Sequence, residues 1–187
     1  ANAAPRYLAT LRSLYGLDRI QRIVFTSSTG VYGEQEGELT ELSPRQPNTH
    51  SARAVVAAEN WLQEHEERVS ILRLAGLIGP ERHPGNFYGG KQRPIPNGDA
   101  PVNLVHRDDV ISAIRLDLAQ PAPGLYNVCA VAHPPKGEYY TAAARLLGRK
   151  IAGVQAGGKN AKVILSERLR DRGWRPVYDD LALSLPE

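Results

Sequence analysis

The chain has 187 residues, with 23 Lys or Arg against 20 Asp or Glu and a net charge of +3. That length supports one sizeable core, and 42% hydrophobic with 23% charged residues excludes a disordered chain. No apolar run reaches the ~20 residues of a membrane-spanning helix, so no membrane partner is expected. No cationic-then-apolar stretch opens the sequence as given, so secretion is not expected. The basic residues read as scattered, too weak a bias for a nucleic-acid partner.

Residues 5–17 carry Leu8, Leu11 and Leu14 at helical spacing, with Pro5 suited to a first turn and Gly16 as a stop. Residues 22–28 form a short apolar run ending in small polar side chains, which predicts a buried strand. Gly30, Gly33 and Gly37 mark the loop after it. Residues 51–66 predict a helix with Val55, Ala58 and Leu62 inward. Residues 69–74 predict a second buried strand, closed by Gly76, Gly79 and Pro80. The Gly/Pro-rich stretch 79–101 is too irregular for one element and predicts a binding loop. A short strand over 102–105, a helix over 110–119 capped by Asp108 or Asp109, and a third buried strand over 124–129 follow. A helix over 137–147, a short strand over 162–165 and a small helix capped by Ser166 complete the reading.

Apolar strands alternating with amphipathic helices predict an α/β fold on a mainly parallel sheet. The strands at 22–28, 69–74 and 125–129 are expected as parallel neighbours. Ligands of such sheets sit beyond the carboxyl ends of the strands, here the loops 27–37, 75–101 and 130–136. The one cysteine, Cys129, excludes an internal disulfide and a cysteine-rich zinc site. It fits a reducing, cytoplasmic compartment and reads as a small core residue. No second ligand stands at metal spacing from His133, so no metal is expected.

Four motifs occur in order: Val24-Phe-Thr-Ser-Ser-Thr-Gly-Val-Tyr-Gly33, Arg73-Leu-Ala-Gly-Leu-Ile-Gly-Pro80, Val105-His-Arg-Asp-Asp-Val110 and Gly173-Trp-Arg-Pro176. Together they resemble, over nearly the whole chain, the extended short-chain dehydrogenases of the NAD-dependent epimerase/dehydratase family, in particular an atypical subgroup. The resemblance implies a Rossmann-type parallel sheet and NAD or NADP as cofactor. It assigns 1–80 and 102–135 to the second half of the nucleotide-binding domain, and 81–101 and 136–187 to substrate-side loops and a small subdomain. It begins partway into the family pattern. About three βα units, roughly 90 residues at ~30 each, are expected ahead of it, so the chain is expected to be a piece of a longer protein, with a sheet edge or helix face left exposed. No Gly-rich turn of the GxxGxxG type occurs in the sequence, and Gly157-Gly158-Lys159 reads as a plain loop.

Residue by residue, the resemblance implies that Ser28, with Thr29 beside it, hydrogen-bonds the reacting oxygen. The bland alternative is that Ser27 and Ser28 satisfy backbone groups at a strand end. Thr26, Ser27, Ala75, Gly76 and Leu77 match cofactor-lining positions, while Tyr32 reads as structural. Arg53, His83 and Asn103 are the substrate-side candidates, with His83 otherwise a surface-loop histidine. The family's Tyr and Lys fall on Ser51 and Val55. A phenol of pKa ~10 works near neutrality only beside positive charge, and neither replacement can do its work. His50 or His83 could move a proton instead, from an ordinary pKa of ~6.5. The expected function is therefore an epimerase, dehydratase or oxidoreductase acting on a small, sugar-nucleotide-like substrate. The alternative is a catalytically impaired dinucleotide-binding sensor or scaffold. A homodimer is the expected assembly, and a piece that binds nothing well is the bland third reading.

Overall fold

The structure, a computed structural model, describes residues 4–14, 20–65 and 67–181. The elements in order are α1 (Ala4–Leu14), β1 (Ile23–Ser28), a 3-10 turn (Thr29–Tyr32), β2 (Glu38–Leu39), α2 (His50–His65), β3 (Val69–Leu74) and β4 (Gly76–Ile78). Then come α3 (Gly85–Tyr88), β5 (Leu104–His106), α4 (Arg107–Ala119), β6 (Gly124–Val128), α5 (Lys136–Leu146), β7 (Val163–Ile164) and α6 (Glu167–Asp171). Gly16, the expected end of the first helix, lies outside the described residues.

The central sheet runs β1-β3-β6 with all strands parallel, as the three apolar runs predict. Two short parallel pairs, β2 with β7 and β4 with β5, extend from its carboxyl end. Side chains alternate faces along a strand. Ile23, Phe25, Val69, Ile71 and Leu125 meet Leu62 and Trp61 of α2 and Leu11 of α1. On the opposite face Val24, Leu72, Tyr126 and Val128 meet Val110, Ala113 and Ile114 of α4. Both faces are covered, and β1 and β6 form the sheet edges among the described residues. A separate cluster of Ile78, Ile95, Leu104, Tyr139 and Tyr140 joins the 79–101 loop to α5. Ile164, Leu169 and Trp174 return to the sheet-side core. No helix among the described residues is long and apolar enough to cross a membrane.

The register sets one cross-strand row of polar side chains in this apolar interior. Ser27 is paired with Arg73, and Arg73 with Asn127. Glu59 of α2 lies over the row. It accepts from Ser27 Oγ at 2.5 Å and from Arg73 Nε at 2.9 Å and Nη2 at 2.7 Å. Arg73 also donates to the Tyr32 hydroxyl (2.9 Å), which donates to Asn127 Oδ1 (2.8 Å). Arg45 reaches Glu59 from the loop before α2 at 3.1 Å. A buried charge is tolerated when paired and fully hydrogen-bonded, and this pair is both.

Two expected caps differ. Asp109 does not cap α4: it is buried and accepts from the Val177 and Tyr178 amides at 2.7 and 3.0 Å, pinning the C-terminal segment. His106 caps instead, its Nδ1 accepting from the Asp108 amide. Ser166 stands at the head of α6, but its hydroxyl donates to the Cys129 carbonyl at 2.7 Å rather than accepting from the helix. In both cases a tertiary partner wins over the local one.

Removing one member of a buried ion pair typically costs about 3–5 kcal/mol because the other charge is left unpaired. Glu59→Gln is expected to lower folding stability by an amount of this order, read as a reduced denaturant midpoint. Glu59→Leu combined with Arg73→Met is expected to cost less than Glu59→Leu alone.

Candidate active site

The carboxyl ends of β1 and β3 bring the main candidates together. Ser28 is paired with Leu74, and adjacent strands lie about 4.8 Å apart, so Ser28 stands one residue from Ala75. Ser28 is exposed, and its Oγ accepts from the Gly30 amide at 3.1 Å at the start of the 3-10 turn. With a lone pair thus engaged, the hydroxyl proton remains available to donate outward. The turn needs Gly33: its φ is 66°, and a Cβ there would lie 2.0 Å from the Gln46 carbonyl oxygen. Ala75 is buried, its amide bonded to Val128 O, while Gly76 and Leu77 are exposed. Neither residue 75 nor 76 places a side chain longer than a methyl beside Ser28.

The other sequence candidates are placed variously. Thr26 is exposed and Thr29 buried. The Ser27 hydroxyl is spent on Glu59, so it holds the frame. His50 and Arg53 are exposed on the first turn of α2, which Thr49 caps by accepting from the Ala52 amide at 3.0 Å. Ser51 is exposed one residue after His50, and Val55 packs against the sheet-side core. Asn103, expected on the substrate side, spends its side-chain amide on strand β7: Nδ2 donates to Lys162 O (2.8 Å) and Oδ1 accepts from the Ile164 amide (2.7 Å). Tyr32, read from the sequence as structural, is buried and bonded to Arg73 and Asn127, and burial raises its phenol above the ordinary range.

His83 is no surface-loop histidine: it is 7% exposed. Its Nδ1 accepts from the Gly85 amide at 3.0 Å, and Nε2 is buried without a partner in the structure. Gly85 packs against α5 so closely that a Cβ would lie 2.3 Å from the Ala143 carbonyl oxygen. The ring is therefore set in the seam between the 83–89 turn and α5. Burial, helped by the Arg149 charge, lowers its pKa. His133 is bonded to Val102 O through Nδ1, and burial lowers its pKa as well. Cys129 is buried in the sheet core, and burial pushes its thiol up to about 12, so it is no nucleophile at neutral pH.

Beyond the 3-10 turn a groove of ≈ 520 Å³ is lined by Gly33, Glu34, Asn97, Gly158, Lys159 and Lys162, among others. Two of the expected carboxyl-end loops thus share one wall-to-wall space. Lys162 donates to Gly33 O, and burial lowers its pKa. Sequence reading missed Lys162 and the polar row. A signal for the row was present: Arg73 and Asn127 interrupt otherwise apolar buried strands, and Glu59 falls at helical spacing between Val55 and Leu62. Among the described residues no group of three His, Cys, Asp or Glu could hold a metal ion.

Residues 6–129 match the pattern of the NAD dependent epimerase/dehydratase family, and the chain belongs to that family. It is 52% identical over 132 residues to Protein YeeZ of Escherichia coli K12, covering 70% of this chain and 47% of that protein. The chain thus spans about half the length of this curated relative. A conserved protein of unknown function from Silicibacter pomeroyi superposes with a TM-score of 0.80 at 22% identity, over 99% of this chain and 71% of that one. The Thermus thermophilus UDP-glucose 4-epimerase solved with NAD gives 0.73 at 22% identity, over 96% and 67%. These two likenesses establish the Rossmann-like fold. The cofactor class expected from the sequence, NAD or NADP, agrees with the NAD dependence of the family and with structural neighbours solved with NAD or NADPH.

Histidines whose folded pKa is lowered resist protonation, so the unfolded chain binds more protons below ~6.5. The stability held by His83 and His133 is complete above that value. It is lost as pH falls below it, until the folded values are passed. Unfolding midpoints are expected to drop between about pH 7 and pH 5, and His83→Gln is expected to shrink that drop.

Proposed function

We propose that the chain forms the nicotinamide-facing half of a dinucleotide-dependent site that oxidises, epimerises or dehydrates a small, sugar-nucleotide-like alcohol. The observation that carries this reading is the exposed Ser28 hydroxyl, free to donate at the carboxyl end of a parallel strand, beside the short residues Ala75 and Gly76. The residues present fit the nicotinamide end of the cofactor, since Ala75, Gly76 and Leu77 offer backbone and small side chains to a flat ring. A bound nicotinamide supplies a hydride acceptor or donor.

Ser28 then holds the reacting oxygen of the substrate by donating its hydroxyl proton. Charge developing on that oxygen is stabilised by a donor already fixed through Gly30, so little reorganisation is needed. Ser51 and Val55 carry no group that can exchange a proton near neutrality. The proton must pass to water, to His50 or to the substrate itself. A positioned acid–base group is worth roughly 10²–10⁴-fold, and turnover is expected to be slow by that measure.

The same two residues favour a second reading, a sensor or scaffold that binds the dinucleotide without turning it over. Turnover of any alcohol or ketone by natively expressed protein with NAD(H) or NADP(H) separates the two. In the catalytic reading, Ser28→Ala lowers turnover by on the order of 10²-fold and leaves dinucleotide affinity nearly unchanged. Full turnover in Ser28→Ala removes Ser28 from the mechanism, and brisk activity surviving His50→Ala assigns the proton to another group.

A further inference from the structure

The basic residues that look scattered in sequence are gathered by the fold. The stretches 82–93 and 145–150 hold six Lys or Arg and no Asp or Glu, leaving 17 basic and 20 acidic residues for the rest of the chain. The two stretches lie side by side. The Gly90 amide donates to Lys150 O at 2.9 Å, and a Cβ on Gly89 would meet the Arg149 Cβ at 3.0 Å. Arg82, Lys91, Arg93, Arg145, Arg149 and Lys150 are all exposed, and none forms an ion pair among the described residues. Lys91, Arg93, Arg149 and Lys150 thus meet where the two stretches adjoin, while Arg145 lines a neighbouring groove together with Asp99 and Glu138.

The same patch exposes apolar side chains. Leu146 is 47% and Leu147 39% exposed, between Arg145 and Arg149. The aromatic rings nearby are not free: Phe87 and Tyr88 pack on Tyr140, with Arg82 over Phe87 at 5.2 Å and Arg93 over Tyr88 at 5.4 Å. Single-stranded nucleic acid needs open aromatic faces for its bases, and a phosphate backbone gains nothing from bare leucines. Cations interleaved with exposed leucines match instead the headgroup and upper acyl layers of an acidic bilayer.

We propose that this face, formed by 82–93 and 145–150, docks the protein reversibly on an acidic phospholipid surface. The inference is independent of the chemistry assigned to Ser28, and it departs from the sequence expectation of no membrane partner, which rested on the lack of a membrane-spanning apolar run. Docking is peripheral: the charges approach the headgroups and Leu146 and Leu147 enter the interface. Each cation near such a surface is worth about fivefold in affinity.

The test is co-sedimentation of the chain with vesicles of phosphatidylcholine alone or equimolar phosphatidylcholine and phosphatidylglycerol, at about 0.05 and about 0.5 M NaCl. Binding is expected only to the acidic vesicles and only at low salt. Arg93→Gln/Arg149→Gln/Lys150→Gln is expected to weaken it about a hundredfold, and Leu146→Ser/Leu147→Ser at least several-fold. These are surface positions, and circular dichroism melts check that both variants fold. No sedimentation with acidic vesicles, equal sedimentation with neutral ones, or a triple variant that binds like the parent overturns the proposal. Binding to oligodeoxythymidylate without binding to vesicles also overturns it and gives the patch to nucleic acid.

Discussion

The ion pair between Glu59 and Arg73 is the interaction on which the rest of this structure depends. Arg73 sits at the centre of the sheet with Ser27 on one neighbouring strand and Asn127 on the other. Glu59 clamps that row from α2, while Tyr32 ties it to the turn after β1. Five elements are thereby held in one geometry by charge and hydrogen bonds. Apolar packing alone tolerates small shifts between a helix and a sheet. A bidentate guanidinium–carboxylate contact in a water-free interior does not. Its net contribution to stability is modest once desolvation is subtracted, and its value lies in fixing register.

What that register fixes is the row next in line. Directly beyond Ser27, Arg73 and Asn127 come Ser28, Leu74 and Val128, the last residues of the three strands. There the polar clamp ends, and in that row Ser28 is exposed while Leu74 is half-buried and Val128 buried. Ser28 inherits a defined position from a partner it does not touch, and the Gly30 amide sets the direction of its hydroxyl. In the proposed reading Ser28 holds the family's position for the reacting oxygen, and the resemblance puts Ser51 and Val55 where its proton-handling pair would fall.

The sheet was legible in the sequence because buried parallel strands are continuous apolar runs, and 22–28, 69–74 and 124–129 each satisfy that pattern. The longer helices α2, α4 and α5 were legible from their 3.6-residue periodicity, whereas α3 and the short strands β2 and β4 were not. Less was legible wherever one side chain had two plausible partners. Asp109 and Ser166 carry the right chemistry for helix caps, but their oxygens are taken by Tyr178 and Cys129, 69 and 37 residues away. Asn103 looked free to meet a substrate until β7 took both ends of its amide. His83 looked like a loop residue because its covering comes from α5, far along the chain. The meeting of Lys91 and Arg93 with Arg149 and Lys150 was invisible for the same reason, since it depends on 82–93 and 145–150 lying side by side.

The account stands most directly on where a dinucleotide touches this fold. Amide chemical shifts of isotopically labelled protein, followed during titration with NADH and with NADPH, locate that contact. The account predicts perturbations centred on Ser28 to Gly30 and Ala75 to Leu77, at the carboxyl ends of β1 and β3. Perturbations confined to other segments, or none at all with natively expressed full-length protein, would contradict it.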